Sequence, residues 1–84
     1  MSTPFLLHYA AALIQALLDH DLIEIRAGQE EAVVRYLAQE LQLRGEGRSL
    51  ISCTSQALLG CEQVEELYAD DDEIKELVQH FGRS

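Results

Sequence analysis

Four consecutive acids, Asp70 to Glu73, are the densest set of potential metal ligands in the chain, within the stretch YADDDEIKELVQHF. Calcium loops place their ligands at alternate positions and have a glycine at the centre of the turn. The stretch DDDEIKEL has neither feature, so we interpret the acids as the start of a helix. Asp70 and Glu73 have the spacing of a capping box, in which each side chain accepts a hydrogen bond from the other residue's backbone N–H.

Histidine and cysteine could supply a zinc site or a catalytic nucleophile, but their spacing favours neither. No pair has the short separation of a zinc module, and a reactive thiolate needs an electropositive environment, whereas this chain has a net charge of −9. We therefore predict no metal, no cofactor and no enzyme activity. We expect Cys53 and Cys61 to be reduced, buried apolar residues, as is typical of a cytoplasmic protein. The histidines are His8, His20 and His80.

Phosphate, nucleic acid and membranes are also poor candidates as partners. The stretch RGEGR, residues 44–48, has two glycines but lacks the lysine and the preceding strand of a phosphate loop, so we predict a flexible loop. The arginines of the first 60 residues are scattered, and an acidic chain is repelled by nucleic-acid phosphates and anionic lipids. The apolar stretch Phe5–Leu18 is too short to span a bilayer.

The acids are concentrated in the last part of the chain. Residues 61–84 contain eight acids against Lys75 and Arg83, whereas residues 1–60 contain seven acids and four arginines. A concentrated negative charge favours solubility and attracts basic partners. We therefore predict that a protein partner with a basic surface contacts Glu65, Glu66, Asp70, Asp72 and Glu73.

The first of the elements that must position these residues is a helix from Pro4 to about His20, with Thr3 as its N-cap. This helix is apolar around nearly its whole circumference. Such a helix is buried on nearly all sides, and a chain this short has a thin core. Either the other elements surround this helix, or it joins two chains in a homodimer through Leu6, Leu13 and Leu17. Residues 22–26, within DLIEIR, form a short extended segment that needs a partner strand, for which a symmetry mate in the dimer is a candidate.

The remaining pattern predicts further helices at Gln29–Leu43, at Leu50–Leu59 with Ser49 as its cap, at Glu62–Ala69 and at Asp71–Phe81. Asp71 falls on the apolar seam between Leu67 and Ile74, and an unpaired carboxylate is costly there, so we expect the helix to break at this point. Gly60 and Gly82 end their helices. The predicted fold class is all-α: one domain, residues 1–84, of four to five helices with one short extended segment.

Part of this pattern also occurs in a known family. ALIQALLDHDLIEI followed by QEEAVVRYLAQEL, within residues 12–43, resembles a bacterial family of small, highly charged helical proteins of unknown function. Its members have an amphipathic helix, a GLIE-like segment and a second acidic helix, and Asp21 here replaces the usual glycine. The resemblance covers about a third of the chain and implies a helical fold without implying an activity.

The sequence therefore favours a cytoplasmic, non-enzymatic protein–protein interaction module, an adaptor or regulator that recognises a basic partner. The alternative is an inhibitor, an immunity protein or a nucleic-acid mimic that neutralises a basic enzyme. A mimic would space its carboxylates like duplex phosphates across one face. An enzyme or a metal-binding regulator is the third class.

Overall fold

A computed structural model of the protein describes residues 3–45 and 49–81. Within these ranges the elements follow the order α1 (Thr3–Asp19), β1 (Ile23–Ile25), α2 (Glu30–Arg44), α3 (Leu50–Leu59), β2 (Val64–Leu67) and α4 (Asp71–Phe81). The prediction of a mainly helical fold is confirmed, and these helices lie within one residue of their predicted bounds, which is ordinary for helix ends. The centre of the predicted loop 44–48 and the predicted stop at Gly82 lie outside the described residues.

The predicted helix Glu62–Ala69 is wrong, because β2 occupies Val64–Leu67. This strand pairs antiparallel with β1 in a two-stranded sheet. The extended segment at 22–26 is confirmed as β1, but its partner is a strand of the same chain. The suggested pairing with a symmetry mate is corrected accordingly.

Helix α1 forms the centre of the core. Six of its side chains are buried: Leu6, Tyr9, Ala10, Leu13, Ile14 and Leu17. They belong to one cluster with residues of the three other helices, including Val33, Leu37, Leu41, Leu58 and Ile74. Full burial of one such side chain stabilises the fold by about 1.5–3 kcal/mol. The chain's own elements therefore cover most of the apolar surface of α1, although Phe5 and Leu7 remain exposed.

This burial corrects the assignment of three leucines to a dimer interface. Leu6, Leu13 and Leu17 have only 1%, 0% and 0% of their surface exposed within the single chain. Side chains without exposed surface have none to bury against a second copy. Any self-association must use other residues.

The turn from α1 into β1 satisfies the carbonyl groups at the helix end. The N–H of Leu22 donates to the carbonyl oxygen of Leu17 (2.8 Å), and the N–H of Asp21 donates to that of Leu18 (3.2 Å). This is the Schellman pattern, whose residue after the cap adopts the left-handed conformation and is usually glycine. Asp21 has a φ of 57°, so an aspartate occupies the glycine-favouring position.

A second left-handed residue lies in the turn from β1 into α2. Gly28 has a φ of 78°, a conformation that glycine adopts without the clash a Cβ atom causes. Helix α2 then begins at Glu30, with Glu30 and Glu31 in its first turn. Their carboxylates lie where the positive end of the helix dipole stabilises negative charge.

The loop after α2 leads into α3, whose start and end match the sequence prediction. The hydroxyl of Ser49 accepts a hydrogen bond from the N–H of Ser52 at 3.5 Å, and Gly60 follows the last helical residue. Cys53 and Cys61 are buried and form no disulfide. No helix of the described ranges has the length and apolar character needed to cross a membrane.

Candidate partner-binding surface

The outer face of the sheet brings together acids that are far apart in sequence. Glu24 of β1 lies opposite Glu66 of β2, and both side chains are exposed. Residues two apart on a strand share a face, so Tyr68 lies on the same side as Glu66. The opposite face packs on the core through Ile23, Ile25, Val64 and Leu67.

A β-bulge exposes a further acid on β2. Glu24 pairs with Glu66 and Ile25 pairs with Val64, so Glu65 is an extra residue without a partner on β1. A bulge of this kind redirects side chains and bends its strand. In a regular strand two consecutive residues point to opposite faces, whereas at this bulge the neighbours Glu65 and Glu66 are both exposed. We call Glu24, Glu65, Glu66 and Tyr68 the acidic sheet surface.

The Glu24–Glu66 pair is electrostatically unfavourable in the free protein. Like charges directly opposite each other in a sheet are destabilising. In the part of the chain that the structure describes, the ion pairs join Arg35 to Glu31 (2.8 Å) and Arg44 to Glu40 (3.0 Å), both along α2. Neither carboxylate of the sheet pair therefore has a cationic partner there.

Tyr68 adds an aromatic group to this surface. Its side chain is among the exposed large hydrophobic groups, with 54% of its surface accessible. A hydrogen bond to Glu24 is the main reason that its pKa is raised above 10.0, with smaller contributions from desolvation and from the charges of Glu24 and Glu66. An exposed ring beside carboxylates offers a cation both charge and a π face.

The acids at the start of α4 have a structural role, which confirms the predicted capping box. Oδ1 of Asp70 accepts a hydrogen bond from the N–H of Glu73 at 2.8 Å, and Oε1 of Glu73 accepts one from the N–H of Asp70 at 3.4 Å. Asp72 is exposed and lies in the first turn of α4 with Asp71 and Glu73. Asp70 and Glu73 are therefore occupied as caps, whereas Asp72 is available to a partner.

The sequence pattern names Glu65 and Glu66 as partner contacts, and Tyr68 as an apolar anchor beside them, but it does not name Glu24. The signal for Glu24 was present, because the alternation in DLIEIR places it on the polar side of a strand. The sequence does not reveal the pairing partner, because its pattern predicts a helix at residues 62–69. The pairing is what places Glu24 against Glu66.

Metal-binding groups do not converge within the described ranges. His8, His20 and His80 are exposed, whereas Cys53 and Cys61 are buried. No group of three or more His, Cys, Asp or Glu side chains among residues 3–45 and 49–81 is arranged to hold a metal ion. The thiol of Cys61 instead donates a hydrogen bond to Oε1 of Gln63 at 3.2 Å.

In comparisons with known proteins, no family model, no curated protein and no solved structure matches this chain. The resemblance of residues 12–43 to the bacterial family of small charged helical proteins therefore stays a prediction.

Proposed function

We propose that this protein is a non-enzymatic interaction module of the cytoplasm, an adaptor or regulator that binds the basic surface of a protein partner through its acidic sheet surface. The observation that supports this proposal is the exposed Glu24–Glu66 pair, two carboxylates directly opposite each other with no cationic partner among the described residues. The pair destabilises the free fold, and a partner's lysine or arginine placed between the carboxylates removes the repulsion.

The acidic charge also accelerates association. The chain carries a net charge of −9, which attracts a basic protein over distances of about the Debye length, roughly 8–10 Å at ordinary salt. Glu65, Glu66 and Asp72 are exposed and contribute to this field without a capping role. Neutralising such charges mainly lowers the association rate and its dependence on salt.

Tyr68 supplies the contact area that charge alone does not provide. Tyrosine is enriched among the residues that contribute most to protein–protein binding. Its ring lies next to Glu24 and Glu66, so a partner cation that contacts the carboxylates also reaches the aromatic face. The acidic sheet surface therefore combines steering charge with an aromatic anchor.

A comparison of variants tests the proposal. Proteins retained by the immobilised wild-type chain are compared with those retained by the variant Glu24→Gln/Glu66→Gln. For each protein that only the wild-type chain retains, the affinity for both chains is then measured at increasing salt. The control variant Glu30→Gln/Glu76→Gln removes two exposed charges outside the sheet. We expect a basic partner whose affinity falls about tenfold or more in the sheet variant and little in the control. Equal loss in both variants, or a partner without a basic surface, contradicts the proposal.

Homodimerisation is a separate part of the proposal, and it requires surfaces other than those first predicted. Among the residues whose burial the structure describes, the exposed large apolar side chains outside the sheet are Phe5, Leu7, Leu43 and Leu59. Sedimentation over a wide concentration range gives the test. A mass that stays at 9.4 kDa at every concentration contradicts the dimer and leaves the interaction module unaffected.

Neutralisation of a basic enzyme is the second candidate function, and the bulge is the observation that favours it. It leaves Glu65 next to Glu66, which pairs with Glu24, so three exposed carboxylates belong to one small sheet. The discriminating experiment is competition: a mimic displaces duplex DNA from a basic nuclease in proportion to its occupancy. An adaptor binds its partner without blocking the nucleic-acid site.

A further inference from the structure

A cavity between α2 and α3 provides a second concave feature, distinct from the acidic sheet surface. Its volume is about 150 Å³, and it is lined by Tyr36, Glu40, Arg44, Cys53, Gln56, Ala57 and Gly60. Sites for small-molecule ligands usually enclose about 300–1,000 Å³. This cavity is smaller, so its size fits one inserted side chain better than a cofactor.

The cavity is lined by one carboxylate, from Glu40, and one guanidinium, from Arg44, and the carboxylate is the more buried of the two charges. The side chain of Glu40 is 18% exposed, whereas that of its ion-pair partner Arg44 is 72% exposed. An ion pair whose cation lies largely in water is weak, because solvent screens it and the long side chain loses entropy when it is held. The carboxylate of Glu40 is therefore the fixed charge of the wall, and the guanidinium of Arg44 can leave it at small cost.

Tyr36 extends the acceptor chemistry of this wall. Its pKa is raised above 10.0 by desolvation, by the charge of Glu40 and by a hydrogen bond to Glu40, so the phenol is protonated at neutral pH and lies beside the carboxylate. The Tyr36 hydroxyl also reaches the edge of the cavity at Gly60, 3.8 Å from the point where a Cβ atom would be. The ring adds a π face that attracts cations.

We propose that this cavity receives the side chain of an arginine from a basic protein partner. The guanidinium donates hydrogen bonds to the carboxylate of Glu40 in the forked geometry that arginine forms with carboxylates. The aliphatic stem packs on Ala57 and Cys53. The wall already accepts one guanidinium, since Nε of Arg44 lies 3.0 Å from Oε2 of Glu40, and the incoming group replaces it.

A neighbouring groove gives the partner's backbone a place to lie. This shallow groove has a volume of about 510 Å³ and shares Tyr36 with the cavity. It extends to Gln63, whose carbonyl oxygen accepts a hydrogen bond from the N–H of Arg26 at 2.9 Å at the end of the sheet. A partner segment in the groove therefore lies beside the arginine cavity and reaches Gln63, which directly precedes β2.

The inference deepens the proposed function, on which it depends only for the source of the arginine. Residues that dominate a protein–protein interface commonly insert into a preformed pocket, and arginine is enriched among them. The cavity gives the otherwise charge-driven interaction a specific anchor. Because a derivative of a single arginine can occupy the cavity, the cavity can be tested without the partner.

The test uses N-acetyl-arginine amide as the probe and follows the amide and side-chain NMR signals of the whole chain. N-acetyl-citrulline amide, which has nearly the same shape without the charge, is the control ligand. We expect saturable shifts at Tyr36, Gln56 and Gly60, with a dissociation constant on the order of 1 mM for a single side chain, and at least tenfold weaker binding of citrulline. Equal binding of both ligands, or no saturable shift at these residues, overturns the proposal.

Variants of the wall give an independent readout. Glu40→Gln should weaken arginine binding about tenfold, whereas Glu31→Gln, which breaks the other ion pair of α2, should leave it unchanged. Arg44→Gln removes the competing guanidinium and should tighten binding, which keeps the proposal testable even where Glu40→Gln fails to fold. Weaker binding in Arg44→Gln contradicts the inference. If arginine does not bind the cavity but a basic partner still binds through Glu24 and Glu66, the proposed function is supported and the cavity proposal is rejected. If arginine binds the cavity but no basic partner depends on Glu24 and Glu66, the cavity proposal is supported and the proposed function is rejected.

Discussion

The hydroxyl of Tyr9 donates a hydrogen bond to Oγ1 of Thr54, 3.0 Å away in the core. The direction follows from the proton count. Thr54 uses its one hydroxyl proton on the carbonyl oxygen of Leu50 at 2.7 Å, so its oxygen can only accept from Tyr9. Burial is the main reason that the pKa of Tyr9 is raised above 10.0. A polar contact thus fixes α1 against α3 within an apolar core.

Replacement of Tyr9 by phenylalanine should therefore lower the free energy of unfolding by about 0.5–1.5 kcal/mol. The loss is limited because Thr54 keeps its hydrogen bond to Leu50. Tyr68→Phe removes an exposed hydroxyl and should change stability by less than about 0.5 kcal/mol. Urea denaturation of the two variants checks both values, and equal stability of Tyr9→Phe and wild type would contradict the role of this contact.

Truncation of Leu17, whose side chain is fully buried, should cost about 2–5 kcal/mol because it removes apolar contact and leaves a cavity. Leu59→Ala is the matched control, since 69% of the Leu59 surface is exposed, and it should cost less than about 0.5 kcal/mol.

Leu13→Glu distinguishes a core position from an interface. A buried carboxylate without a partner unfolds a small domain, so circular dichroism should show an unfolded chain at every concentration. A folded monomer would indicate that Leu13 lies at a chain–chain interface after all.

The two left-handed residues should respond oppositely to substitution. Asp21→Gly relieves the strain of a side chain at a φ of 57°, and should stabilise the fold by about 0.5–1 kcal/mol after the entropy cost of glycine. Gly28→Ala should destabilise by about 1–2 kcal/mol, although nothing lies within 4 Å of the new Cβ atom. Thermal unfolding of the pair measures both effects. Destabilisation by Asp21→Gly would show that its side chain makes a compensating interaction.

The capping box of α4 should depend on hydrogen-bond geometry rather than on charge. Asp70→Ala removes the acceptor for the N–H of Glu73 and should cost about 0.5–2 kcal/mol. Asp70→Asn keeps an acceptor and should retain most of the stability, because asparagine caps nearly as well as aspartate. An equal loss in both variants would indicate that the negative charge at the helix start, and not the hydrogen bond, stabilises α4.

Stability should fall in alkaline solution. All three tyrosines, Tyr9, Tyr36 and Tyr68, have a pKa raised above 10.0. As the pH rises past 10.0, the unfolded chain loses these protons while the folded chain retains them, so the unfolded state binds fewer protons and the free energy of unfolding decreases. Below that pH both states are protonated at tyrosine and these groups contribute no pH dependence.

The same titration tests the contact between Tyr68 and Glu24. Followed by tyrosinate absorbance, Glu24→Gln should move one of the three transitions toward 10.0, because it removes the main cause of the raised pKa of Tyr68. Glu76→Gln, on the exposed face of α4, is the control and should move none. An unchanged titration in Glu24→Gln would remove the carboxylate–phenol contact from the acidic sheet surface.

The helices could be predicted because their apolar residues recur with the period of an α-helix and their ends carry matching cap residues. Ser49 and the Asp70–Glu73 box begin helices where expected. The sequence predicts that α1 is buried, but it does not decide between coverage by the chain's own elements and contact with a second chain. Which elements cover a helix depends on packing between distant segments, and periodicity contains no information about that.

Strand β2 was missed for a physical reason. In a regular strand the inward-facing residues are two apart, but the bulge at Glu65 separates Val64 and Leu67 by three. A separation of three is also the spacing of a helix face, and glutamate is depleted in strands. The bulge therefore imitates helical periodicity, and the error removed Glu24 from the candidate site because its partner strand was not recognised.

The pairing of Ile23–Ile25 with Val64–Leu67 encloses α2 and α3 in one long loop of the chain. A two-stranded sheet has little stability by itself, and closing a long loop is entropically costly before the helices within it are packed. The Glu24–Glu66 pair therefore exists only once the whole chain has folded, and fragments should not display it. A protein that recognises this pair binds the native state alone, so its concentration in the cell would shift the folding equilibrium and protect the bound chain from degradation.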